Sequence, residues 1–217
     1  MGWAVHRAVG RAGELHARAL DPPVVRTISV LEVDRPALVL GSTQSEAIVD
    51  RAAAARLGVE VARRRSGGGA VLLQPGGTVW VDVEVPRGDP LWDDDVGRAA
   101  WWLGDAWARA LAALGVRDAV VHRGPLVRRP GSDLVCFAGL GAGEVTVGGA
   151  KAVGISQRRT RAGARFQCAA PVTWDVATLA AVVPDTAAVD VEVHLVPGEP
   201  GALVAALLSQ LEAAPVG

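Results

Sequence analysis

Val79, Val81, Val83 and Val85 fall on one face of an extended chain, and Trp80, Asp82 and Glu84 fall on the other. That period of two specifies a half-buried strand whose valine face has to be covered. The next periodic segment can supply the cover. Val96, Ala99, Ala100, Leu103, Ala106, Trp107, Ala110, Leu111 and Leu114 recur at helical spacing. Asp94 or Asp95 can cap the start of this helix, and Gly115 ends it. A sheet with a long helix laid on it is therefore the minimum architecture.

Shorter elements surround this pair. Thr27–Val33 and Ala37–Leu40 read as strands, with Asp34-Arg35-Pro36 suited to a hairpin between them. Further strands are expected over 59–62, 134–138, 144–147, 151–157 and 166–172, with Gly148-Gly149 as a tight turn. Helices are expected over 10–20, from Ser45 to Leu57 before Gly58, from Asp175 to just before Pro184, and over 201–213. Strands and helices mix without a βαβ rhythm, so the fold class is α+β, a mixed and largely antiparallel sheet with packed helices. Half of the 217 residues are hydrophobic, which suits one well-cored domain spanning 1–217.

A formal net charge of −1 excludes general attraction to nucleic acid or anionic lipid, so neither is expected as a partner. No apolar run reaches the length of a bilayer span, and the first twenty residues lack a signal-peptide pattern. A cytoplasmic location is the expectation. Two cysteines make no disulfide framework, and the scattered His6, His16, His122 and His194 predict no metal site.

Two constellations can carry chemistry. In Arg63-Arg64-Arg65-Ser66-Gly67-Gly68-Gly69-Ala70-Val71, three bare residues let a ligand lie on the backbone, and the arginines can clamp phosphate or carboxylate. The bland alternative is a flexible turn with a solvated basic face. No Lys-Ser/Thr follows the last glycine, so this is not a P-loop. The second glycine-rich stretch, Gly139-Leu140-Gly141-Ala142-Gly143, reads as a plain loop. The other constellation is Gly148-Gly149-Ala150-Lys151-Ala152-Val153-Gly154-Ile155-Ser156-Gln157. Lys151, the only lysine of the chain, could hold charge that builds on an acyl or phosphoryl oxygen. Gly154 would allow close approach to the strand. The alternative is an edge lysine that blocks aggregation. Cys136 and Cys168 each sit among apolar neighbours and read first as small core residues.

Together, Gly41-Ser42-Thr43-Gln44, the arginine–glycine loop and the Lys151 segment resemble the biotin/lipoate protein ligase catalytic domain, its lipoate branch above all. The resemblance spans roughly residues 28–172 and implies the α+β fold shared with biotin ligases and class II aminoacyl-tRNA synthetases. It implies an enzyme that joins a lipoyl or octanoyl group to a lysine of a carrier. That carrier would be a lipoyl domain of a 2-oxoacid dehydrogenase or a glycine-cleavage carrier protein. Arg64, Ser66 and Gly69 would line the acyl and phosphate pocket, with Gly67, Gly68, Ala70, Gly154, Ile155 and Ser156 beside them. Lys151 would hold the acyl carbonyl and adjacent phosphate oxygens. ATP with Mg2+ would be required of a ligase.

The chain also resembles cysteine-dependent octanoyltransferases, which place a nucleophile in a Cys-Phe pair. Cys136-Phe137 stands fifteen residues before Lys151. That route needs no cofactor, and acyl carrier protein could be the donor. Some residues depart from the family pattern. Leu72-Leu73-Gln74-Pro75 stands where the family usually has His-Asp, and Cys168 stands where the octanoyltransferases carry histidine. These losses keep open a non-catalytic module that binds the acyl ligand or the carrier. Pro75-Gly76-Gly77-Thr78-Val79-Trp80 has some flavour of a biotin ligase, but the arginine–serine–glycine loop fits lipoate better.

Overall fold

The computed structural model describes residues 2–213. Met1 and residues 214–217, which the single-domain expectation also spans, lie outside the described residues. In chain order the elements are β1 (Ala4–Gly10), α1 (Ala12–Ala17), β2 (Thr27–Val33), β3 (Ala37–Leu40), α2 (Arg51–Arg56), β4 (Glu60–Arg63), β5 (Val71–Leu73) and β6 (Thr78–Pro86). There follow α3 (Trp101–Ala113), β7 (Ala119–Val121), β8 (Val145–Val147), β9 (Ala150–Arg159), β10 (Gly163–Pro171), α4 (Val176–Val182) and α5 (Pro200–Glu212).

Seven strands form one sheet in the order β1-β2-β6-β10-β9-β8-β7. Only the β1–β2 pair in it is parallel. The α+β, largely antiparallel expectation therefore holds. A second sheet, β4-β3-β5, was not foreseen; β3 runs parallel to β4 and antiparallel to β5.

The central strand β6 is buried on both faces, not on one. Val79, Val81, Val83 and Val85 pack with Leu103, Trp107 and Leu111 of α3 and Leu203, Leu207 and Leu211 of α5. Trp80, on the opposite face, joins the second core with Leu38 and Leu40 of β3 and Leu73 of β5. The large sheet is thus sandwiched between helices and the small sheet. Asp82 tolerates full burial because the indole N–H of Trp80 donates to Oδ1 at 2.7 Å and Arg18 donates to Oδ2 at 2.6 Å.

Several local expectations are corrected. The turn at Asp34-Arg35-Pro36 makes no hairpin. β2 pairs with β1 and β6, so β3 crosses to the other sheet. Strand β1, which carries no clear apolar period, was missed. The helix expected from Ser45 to Leu57 is broken by extended Val49. Ser45 caps a short 3₁₀ turn, Glu46–Ile48, and Asp50 caps α2 through Ala53 N at 2.8 Å. Gly58 does adopt the left-handed φ, +64°, that ends this segment. The long helix starts at Trp101. Asp93 and Asp95 instead accept backbone N–H groups of Asp95 and Gly97 in a preceding turn. The strand expected over 134–138 is a single bridge from Val135 to Ala70 followed by a 3₁₀ turn, Cys136–Ala138. The tight turn between β8 and β9 is as expected, with Gly148 and Gly149 at φ +59° and +88°.

Among the described residues, no helix is long and apolar enough to cross a membrane.

Candidate active site

The glycine loop between β4 and β5 is shaped from beneath by Arg64. Its side chain is buried and donates to Gly67 O and Gly69 O at 2.8 Å each. Arg64 therefore clamps the loop from inside, a task the sequence did not suggest. Arg63 holds the neighbouring turn through Gly41 O at 2.8 Å and Gln44 O at 2.7 Å. A Cβ at Gly41 would collide with the Gly68 carbonyl, so the two turns interlock only because Gly41 is bare. Gly69 is pressed against the next segment, where its Cβ would lie 2.6 Å from Val135 C and 2.8 Å from Cys136 N. Ala70, also buried, exchanges backbone bonds with that segment: Ala70 N donates to Leu134 O, and Cys136 N donates to Ala70 O. Gly68 takes φ +99° and exposes its backbone to the cleft.

Lys151 comes up from β9 on the other side. Its side chain is 3% exposed, and Nζ donates to Cys136 O at 2.8 Å and to Glu144 Oε2 at 2.7 Å. Glu144 in turn accepts from Gly141 N at 2.6 Å and Ile155 N at 3.0 Å. A buried ammonium is tolerated because a carboxylate neutralises it and that carboxylate is itself saturated. An ammonium has three N–H donors, so one is left for a ligand. The lysine bonds the backbone carbonyl of Cys136, leaving the thiol out of that contact.

Gly67, Gly68, Gly69, Lys151, Glu144 and Cys136 line one cleft of about 570 Å³. The volume is that of a small-molecule site. Cys136, Ile155 and Ser156 are shared with a second, narrower cavity of about 50 Å³. Val39, Val71, Leu73, Trp80, Phe137 and Gly154 make its walls largely apolar. A cleft that carries Lys151 and the bare glycine backbone and opens into an apolar pocket suits a ligand with a charged head and a hydrocarbon tail.

A polar chain runs along this junction. Ser156 and Ser66 stand 3.0 Å apart through their hydroxyls, and Ser66 Oγ donates to Gln167 Oε1 at 3.3 Å. The Gln167 amide meets Nδ1 of His16 at 3.1 Å, and the His16 ring stacks on Trp80 with centroids 4.3 Å apart. Burial, and then the charges of Arg64, Arg18 and Arg165, push the His16 pKa down to about 3, so the ring is neutral. Burial pushes the Cys168 thiol up, which makes it an inert wall residue.

The structure thus brings Arg64, the three glycines, Cys136, Lys151, Gly154, Ile155 and Ser156 together around one cavity system, whereas Ser66 and Ala70, expected beside them, are buried behind it and line neither cavity. Sequence reasoning missed Glu144, Gln167 and His16. Glu144 had a signal, since it is the sole acidic residue between Asp133 and Asp175 and lies close to the sole lysine. His16 had none, because a histidine on a short helix looks like any other.

Residues 13–211 match the family described as Lipoyl protein ligase A/B catalytic domain. The chain belongs to that family. It is accordingly an enzyme of the lipoate ligase group or of its related transferases. A search of curated protein sequences finds no match. Among solved structures, a T. acidophilum lipoate protein ligase with bound lipoic acid is similar at a TM-score of 0.75 and 18% identity, over 98% of this chain and 86% of the other. Lipoate-protein ligase A bound with ATP gives 0.75 and 19%, over 98% and 85%. A bipartite lipoate protein ligase of T. acidophilum, described with its E2 lipoyl domain, gives 0.75 and 17%, over 98% and 83%. At such identities these likenesses establish the fold.

Gln74, in the Leu72-Leu73-Gln74-Pro75 stretch, donates to Asp175 Oδ2 at 3.1 Å and lines neither cavity. Among the described residues, no group of three His, Cys, Asp or Glu side chains could hold a metal ion.

Proposed function

We propose that this enzyme activates a lipoyl or octanoyl acid with ATP and transfers the acyl group to a lysine of a lipoyl domain. One observation carries the reading: the free donor of Lys151 and the bare Gly67, Gly68 and Gly69 backbone line one cleft that leads into an apolar pocket. The neighbours with lipoic acid, with ATP and with an E2 lipoyl domain support it.

In the first step the carboxylate of the acid attacks the α-phosphorus of ATP. Acyl-adenylate forms and pyrophosphate leaves. The tail lies in the inner pocket and the acyl-phosphate in the outer cleft. Lys151 holds the carbonyl and phosphate oxygens, where charge rises as the bond forms. In the second step the carrier amine attacks the acyl carbon, AMP leaves, and the amine loses a proton. Glu144 is spent on Lys151 and two backbone N–H groups. The remaining carboxylate of the cleft is Asp133, exposed and paired with Arg128 at 2.8 Å. Mg2+ would therefore arrive on the nucleotide phosphates with Asp133 as its protein contact.

The test is to incubate enzyme with lipoyl domain, ATP and lipoic or octanoic acid, and to weigh the domain. An acyl mass gain that requires ATP is expected. Cys136→Ser should retain most of it. No gain with ATP, but a gain from octanoyl carrier protein that Cys136→Ser abolishes, would replace this reading with the thioester route.

A further inference from the structure

The inner pocket is largely apolar, with Arg64, Ser156, Gln167 and the His16 ring as its polar lining. His16 reaches it from α1, lies flat on Trp80, and lines the cavity beside Cys168 and Gln167. Its two nitrogens are in different situations. Ser66 Oγ donates to Gln167 Oε1, which turns the Gln167 amide nitrogen toward Nδ1 of His16. Nδ1 therefore accepts, and a neutral imidazole that accepts there carries its proton on Nε2. Nε2 has no hydrogen-bond partner among the described residues. Burial and the three neighbouring arginines keep the ring from taking a second proton.

His16 thus brings an N–H without a protein acceptor to the lining of this largely apolar pocket. An unbranched alkyl tail would cover that donor and leave it unpaired, which disfavours the tail. A tail with an acceptor at its far end would satisfy it. Sulfur is a weak acceptor and also makes favourable contacts with aromatic rings, here Trp80 and Phe137.

We infer that His16 is a specificity-determining residue, which makes the inner pocket favour an acyl chain ending in a sulfur-bearing ring, the lipoyl dithiolane, over a plain octanoyl chain. The inference rests on the acyl-transfer reading above. It goes further by choosing between the two acyl groups that reading admits. Discrimination should be modest, because the hydrogen bond to sulfur is weak and the shared methylenes bind alike.

Calorimetry with free lipoic and octanoic acids tests it. The wild type should bind lipoic acid about tenfold more tightly. His16→Phe keeps the stack on Trp80 but removes the donor, and should bring the two affinities within about threefold, mainly by improving octanoic acid. Equal affinities in the wild type, or a preference unchanged in His16→Phe, overturn the inference while leaving acyl transfer intact. Failure of the wild type to bind either acid or to acylate a lipoyl domain overturns both. If His16→Phe does not fold, the Nε2 nitrogen resonance of the wild type gives a second measure. It should move on addition of lipoic acid more than on octanoic acid, and equal movement overturns the inference.

Discussion

Nζ of Lys151 lies 2.7 Å from Oε2 of Glu144, and both side chains are almost completely removed from solvent. The pair fixes the lysine head group in the lining of the cleft. It also makes Glu144 a strut, since the same carboxylate anchors Gly141 N and Ile155 N.

Removing either member should have separable effects. Glu144→Ala strands a buried cation and two backbone donors, so urea unfolding should show a loss of about 3–5 kcal/mol. Glu144→Gln should lose less, because an amide still accepts from the lysine. Lys151→Met should cost less stability than Glu144→Ala but lower kcat/KM about 100-fold or more, as expected when a charge-stabilising donor is lost. Near-normal turnover in Lys151→Met would contradict the role given to the ammonium.

What could be read from the sequence followed the range of the interactions involved. The valine alternation and the α3 stripe carry their meaning within one element, so sheet and covering helix were legible. The glycine loop and the lone lysine were legible as types of chemistry. The crossing of β3 to a second sheet was not, because Asp34-Arg35-Pro36 is as compatible with a crossover as with a hairpin. Trp80 looked like a solvent-facing residue until the small sheet supplied a second cover. The Lys151–Glu144 pair and the Ser156–Ser66–Gln167–His16 chain join residues from separate elements, and no local pattern encodes such meetings.

The three glycines of the loop are not equivalent. A Cβ on Gly69 would press into the Val135–Cys136 backbone, whereas one on Gly67 meets nothing within 4 Å. Gly69→Ala should destabilise the fold by about 1–3 kcal/mol and weaken lipoate binding, because the loop must shift. Gly67→Ala should leave both stability and affinity within about twofold of wild type. Thermal denaturation and calorimetry on the two variants would expose any reversal of that order.

Stability should fall in mild acid through His16. Its folded pKa, about 3, lies below the ordinary 6.5. Above the ordinary value both folded and unfolded rings are neutral, and the residue contributes no pH dependence. Between the two values the unfolded chain takes up a proton that the folded ring refuses. Stability is therefore lost as pH falls, at up to about 1.4 kcal/mol per pH unit from this ring. Urea unfolding at about pH 7.5 and about pH 5 should show a smaller acid loss in His16→Phe than in wild type. Equal losses would mean the ring is protonated in the fold.

Two arginines beside the site suggest how a carrier docks. Arg65 precedes Ser66 and is exposed, and Arg158 lies two residues beyond Ser156 on β9. Burial, and then repulsion from Arg65, lower the Arg158 pKa, and its Nη1 is buried without a hydrogen-bond partner. Like charges left close together gain from an opposing surface, and an acidic patch on a lipoyl domain would provide one. A rim charge of this kind chiefly speeds encounter. Arg65→Glu combined with Arg158→Glu should raise KM for the carrier about tenfold or more, with KM for free lipoate unchanged. The salt dependence of carrier modification should flatten in the same variant, because the screened attraction is gone. Carrier KM and salt dependence that both match wild type would place the docking surface elsewhere on the enzyme.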